Sequence, residues 1–276
     1  MLSLLIPLFL VAQESSKEVI SKETIASEQT IYREIAGLGL GRIAFRDFAT
    51  SPLIYKGLGL SLGGGRRKTD EKKEAYFSIR GLFGITTILV DGTTNNSMLF
   101  TFNTRYKRLY TLQNLSTNNW TYKVGGTIDL LTVTRFNSSL NNNSIGLEGF
   151  PTIFGSFKVN KNFTRPPFLR KRKPAKRQSL SLAVDIGLVN TAFRNGYAYT
   201  FHAPFYNSLN LFKDHNFSWF AGFRVRTALA YTLYSNKNKN GIRFSYIWEG
   251  VRSAKTPDRF SLTTGMFQYT LLHRLN

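Results

Sequence analysis

Residues able to carry acid–base or metal chemistry are sparse in this chain. It has three histidines, His202, His215 and His273, and no cysteine. Thiol chemistry is therefore excluded, and proton transfer at neutral pH has few carriers. Asp214 stands directly before His215, and an acid beside a histidine is the pairing that a general base in hydrolysis uses. Sequence neighbours on an extended strand point to opposite faces, however, so adjacency alone does not build a dyad. His202 and His215 flank a long connection, 194–216, and no third ligand falls at a spacing suited to a metal. His273 lies near the end of the chain. The residues imply no metal and no cofactor, and they assign no catalytic residue.

Basic residues are far more conspicuous. The formal net charge is +21. Between positions 158 and 177 stand nine cations and no acid: Lys158, Lys161, Arg165, Arg170, Lys171, Arg172, Lys173, Lys176 and Arg177. Pro166, Pro167 and Pro174 interrupt the run, which predicts a loop rather than a regular element. Such a loop is expected to meet an anionic membrane surface or an acidic protein partner. Nucleic acid is not the expected partner, because no recognition motif for it accompanies the charge.

A second set of charges is spaced quite differently. Arg80, Arg105, Asp129, Asp185, Arg224, Arg226, Arg243 and Glu249 each alternate with apolar neighbours, as do Lys107, Lys123 and Arg135. Residues 77, 79, 81, 83, 85, 87 and 89 read Phe, Ile, Gly, Phe, Ile, Thr and Leu, while Arg80 belongs to the even set. Tyr122, Val124, Gly126, Ile128 and Leu130 alternate with Lys123, Thr127 and Asp129 in the same way. Successive strand side chains point to opposite faces, so each segment has one apolar and one polar face. Charges of both signs on the polar faces are expected to form an interior network. Surplus arginines in that network could draw anions into a small pore.

The strands that would position these charges are long. Ten candidates are read at 32–45, 53–64, 75–89, 98–112, 120–136, 145–160, 179–193, 217–235, 241–250 and 258–275, with a further pair possible within 196–213. Many exceed the ~5–6 residues usual in soluble sheets and match tilted strands that cross a membrane. Aromatic residues make up 14% of the chain, and several close the apolar faces: Tyr106 and Tyr110, Trp219 and Tyr231, Tyr246 and Trp248. Rings of this kind sit at membrane–water interfaces. No apolar run of 18 or more residues is present, so a membrane helix is not available.

Residues 2–11 are uncharged and almost wholly apolar, the length of a signal-peptide core, with cleavage expected after Ala12. Residues 13–30 form a polar lead-in, and 31–276 form the barrel. The final strand, with Phe267, Tyr269 and Leu271 on one face, resembles the terminal strand of bacterial outer-membrane β-barrel proteins, although Asn276 replaces the terminal aromatic. The segment 47–53, Asp-Phe-Ala-Thr-Ser-Pro-Leu, is similar to segments of some barrels of that class. The resemblance implies an all-β, antiparallel up-and-down transmembrane barrel of about ten strands (twelve possible) in the outer membrane of a Gram-negative cell. With an even strand count both termini are periplasmic, which puts 158–177 on the periplasmic side and 194–216 outside the cell. The expected role is a non-enzymatic, structural or accessory subunit of an envelope complex, in contact with outer-membrane lipid and envelope proteins. A barrel-mouth hydrolase acting on protein or lipid, and a narrow anion-preferring pore, are the alternatives.

Overall fold

A computed structural model describes residues 30–48, 51–117, 119–137, 145–165, 176–195, 215–220, 222–235, 240–253 and 259–275. The strands are β1 (Thr30–Asp47), β2 (Ser51–Thr69), β3 (Lys73–Val90), β4 (Thr93–Thr111), β5 (Trp120–Phe136), β6 (Ile145–Arg165), β7 (Lys176–Asn190), β8 (Ala192–Asn195), β9 (His215–Ser218), β10 (Phe223–Ser235), β11 (Asn240–Arg252) and β12 (Phe260–Arg274). Each of β1 to β6 pairs antiparallel with the next, β7 pairs with β10, and β10 to β12 follow in order. β12 returns to β1 and closes a ring of ten strands. Closure gives each strand of the ring a hydrogen-bonded neighbour on both sides, the condition that hydrocarbon imposes.

Alternation fixes which way each side chain faces. Phe100, Leu58, Leu60, Leu62, Leu130 and Phe267 are exposed on the outside, and Ile128 is 63% exposed there. Thr127 and Asp129, its neighbours in the chain, are each only 1% exposed inside. A soluble protein would be polar outside and apolar within; this barrel is apolar outside. That arrangement makes the chain a transmembrane barrel of the outer-membrane type, and the outer membrane is where it resides. In β1 a bulge between Ile35 and Leu38 shifts the phase, so Glu34 faces inward before it and Gly37 after it. The β3–β4 connection is a two-residue turn, Asp91-Gly92, both with positive φ as that turn type requires.

Several segments differ from their sequence reading. β6 continues to Arg165 and pairs with Lys176 and Arg177 of β7, so the expected loop at 158–177 is strand at both its ends; 166–175 lies outside the described residues. Backbone hydrogen bonding to β7 carries the strand that far, because the first proline stands only at 166. Residues 217–235 are not one strand: Phe220, with positive φ, lies in the break between β9 and β10. The additional short pair is β8 with β9, at 192–195 and 215–218. Asn195 ends β8, and 196–214 lies outside the described residues.

Strand phase makes a direct prediction. Arg in place of Ile128 or Ile186, both exposed on the outer face, should cost about 2–4 kcal/mol at mid-bilayer depth, and less in place of Phe223, which opens β10 at the rim. Arg in place of Asn95, inward-facing near the end of β4, should be tolerated better. Denaturant-dependent folding into vesicles measures both, and equal costs would place the bilayer wrongly.

Candidate functional site: the charged lumen

A single strand shows how the interior is layered. Inward along β5 come Lys123, Gly125, Thr127, Asp129, Leu131, Val133 and Arg135. The sequence passes from a cation near the end of the barrel where β1 begins and β12 ends, through a gap and an acid at the waist, to an apolar stretch and a cation at the opposite rim.

The apolar stretch belongs to a plug. Ile43, Phe45, Tyr55, Leu82, Leu99, Leu131, Val133, Phe150, Val251, Phe260, Leu262 and Met266 form one buried cluster inside the barrel. Phe45 stacks on Tyr55 with ring centres 5.0 Å apart, and Phe150 on Phe260 at 5.4 Å. Ile43 fits because Gly59 and Gly84 leave room for its terminal methyl; a side chain at either position would collide with it. At the rim, Arg135 binds Glu148 and Asp47, and Arg194 of β8 reaches Asp47 at 2.7 Å. Both guanidinium groups lie over the ring of Phe260. The short β8 thus helps to hold the rim cluster over the plug.

Five cations meet three carboxylates at the waist. Asp129 receives Asn103 Nδ2 at 2.8 Å, Arg105 Nε at 2.6 Å and Arg224 Nη1 at 2.5 Å. Glu249 binds Arg224 and Arg80, the latter at 2.9 Å. Asp185 receives Lys107 at 2.5 Å and Arg226 at 3.5 Å, with Arg105 within 3.9 Å. These contacts span β3, β4, β5, β7, β10 and β11, so the cluster links opposite walls. Arg105 and Arg224 are almost fully buried. Low dielectric strengthens such pairs and equally penalises any member left alone.

A lower cluster lies towards the termini. Glu74 accepts Lys158 Nζ at 2.6 Å and Lys123 Nζ at 3.0 Å. Glu34 binds Arg243, accepts the Tyr76 hydroxyl at 2.6 Å and pairs with Arg67 at 3.0 Å. Lys158 is therefore a lumen residue and does not belong with an exposed basic surface. Its parity explains this, since it shares the inward face of β6 with Thr152, Phe154 and Ser156. Lys161 faces outward over the Trp120 ring, and Arg177 lies over Tyr234. Arg165 and Lys176 close the β6–β7 ladder; Arg170, Lys171, Arg172 and Lys173 lie outside the described residues.

The eight charges predicted for the lumen are all there, seven at the waist and Arg243 below. Glu34, Asp47, Arg67, Glu74, Glu148, Lys158 and Arg194 were not read as members. For Glu74 the signal was present, because it has the same parity as Tyr76 and Arg80, but its polar surroundings resemble a turn. His202 and Asp214 lie outside the described residues. His215 opens β9, and His273 faces outward with Nδ1 2.8 Å from Asn240 Oδ1. Among the described residues no cluster of three or more metal-ligating side chains occurs.

No family model matches the chain, and no curated protein matches it. Among solved structures it is similar to the outer membrane protease OmpT of Escherichia coli, at 10% identity and a TM-score of 0.49, covering 94% of this chain and 100% of that one. It is also similar to an outer membrane channel of Pseudomonas putida, at 9% identity and a TM-score of 0.33, with 94% and 100% coverage. The transport unit of an Escherichia coli autotransporter gives 8% identity and a TM-score of 0.32, with 91% and 92% coverage.

The waist cluster predicts a specific sensitivity. Asp129→Asn keeps the shape but removes the charge that Arg105 and Arg224 share, and breaking buried pairs of this kind costs about 3–5 kcal/mol. Thermal unfolding in detergent should show a marked loss of stability. Asp70→Asn, at the exposed β2–β3 turn, should shift the midpoint little.

Proposed function

We propose that this protein is a non-conducting outer-membrane barrel that serves as a structural or accessory subunit of an envelope complex. The observation that supports this reading is the filled lumen. An apolar plug occupies its extracellular half, and ion-paired side chains bridge the waist. Water and ions would have to displace packed aromatic rings to pass, so the geometry favours holding over transport.

The connection between β6 and β7 is the proposed point of contact with an acidic partner or an anionic surface in the periplasm. Lys161, Arg165, Lys176 and Arg177 flank it, and Arg170, Lys171, Arg172 and Lys173 fill it. Near an anionic bilayer each basic residue contributes about 1 kcal/mol, within a Debye length. A barrel-mouth hydrolase is the second reading. It rests on the Asp214-His215 pair in the sequence and on the place of His215 at the start of β9.

Replacing Arg170, Lys171, Arg172 and Lys173 together by Gln tests the first reading. Partners that co-purify with the native protein from detergent-extracted membranes should be lost, while heat-modifiable gel mobility, which reports the folded barrel, stays unchanged. Full partner retention alongside a hydrolytic activity that His215→Ala abolishes would favour the second reading.

A further inference from the structure

The lumen is not electrically balanced, and its imbalance is localised. At the rim two arginines face two carboxylates. The waist has five cations for three carboxylates, and the lower cluster has four for two. Between waist and lower cluster lies a cavity of about 110 Å³. Among the described residues the excess, four positive charges, thus belongs to the two clusters on either side of this space, and seven cations and two carboxylates line it.

The walls leave that space open by design of the sequence. Ser78, Ser181, Ala183, Ala228, Ala230 and Ser245 line it, all small, whereas the plug above is built from aromatic and branched residues. Its charged lining comprises five arginines, Lys107 and Lys158, set against the two carboxylates of Glu34 and Glu74. Arg226 has one ion pair among the described residues, the long contact to Asp185 at 3.5 Å, and its buried Nε has no hydrogen-bond partner. Arg67 Nε is likewise buried without a hydrogen bond and lies 3.6 Å from Glu74. A guanidinium left short of acceptors in a low-dielectric interior is costly, and planar N–H donors suit tetrahedral oxyanions.

We propose that the cavity is a binding site for a small oxyanion of the phosphate class, held by Arg226 and Arg80 from the waist and Arg67 from below. About 110 Å³ is the volume of roughly three to four waters at ~30 Å³ each, enough for one tetrahedral anion with little water besides. The anion supplies the acceptors that Arg226 and Arg67 lack and offsets the surplus charge. It would make the lower lumen an anion-dependent part of the barrel, independently of any partner at the β6–β7 connection.

The test is thermal unfolding of the purified full-length barrel in detergent, with gluconate as the background anion, during titration with inorganic phosphate. A ligand bound only by the folded state raises the midpoint in step with the logarithm of its concentration. The native protein should show that saturable rise, and chloride at matched ionic strength should not reproduce it. Arg226→Gln should move the phosphate response at least tenfold higher in concentration. Ala228→Asp places a fixed carboxylate in the cavity two residues from Arg226 on the same face, and should abolish the response. If Ala228→Asp does not show the heat-modifiable mobility of a folded barrel, Arg226→Gln decides alone. Equal effects of phosphate and chloride, or a native-like phosphate response in the folded variants, would overturn the proposal.

Discussion

Inside a bilayer a peptide N–H or C=O has no water to bond with, and a sheet can satisfy all of them only by closing on itself. Pairing of β1 with β12, from Tyr32 and Arg274 to Asp47 and Phe260, makes that closure. The rest of the molecule depends on it. A closed sheet has an inside, period-two alternation sends half of every strand there, and an interior as narrow as this one must be filled by whatever those residues are. Leucine and phenylalanine on the outer face meet lipid; what remains for the inside is mostly charge, small residues and a limited set of rings.

The filling is ordered along the barrel axis. Aromatic and branched side chains crowd the half away from the chain ends, where Arg135 and Arg194 lie over the plug's own rings. Below it, ion pairs tie strands on opposite walls, as when Lys107 of β4 meets Asp185 of β7. A barrel built this way resists collapse and passage for the same reason. Stability of the waist is conditional, because each carboxylate there serves several cations, and removal of one acid strands more than one partner.

Much of this was legible from alternation. The ten-strand ring, the outward facing of Phe83, Ile128, Ile186 and Phe223, and the inward facing of Arg105, Asp129 and Glu249 all follow from parity within a strand. Parity failed where a local feature interrupts it. The bulge at Ile35 hides the inward turn of Glu34, and the polar stretch at Lys72-Lys73-Glu74 disguises a strand start as a loop. Lys158 was grouped with its basic neighbours by charge, although its position on β6 places it with Ser156 inside. The plug could not be read at all by alternation, since Phe45, Tyr55, Phe150 and Phe260 are apolar residues on the face expected to be polar. Only the three-dimensional ring shows that they meet.

Whether plug and waist together seal the lumen, as proposed, is read from single-barrel conductance in a planar bilayer. The native protein should give no stepwise currents in molar KCl. A variant with Phe45, Phe150 and Phe260 all replaced by Ala should remain inserted, because the outer face and the ring are untouched, and should begin to leak. Steady, anion-selective steps from the native barrel would mean that the lumen is not sealed, since they require an open water path through the packed plug.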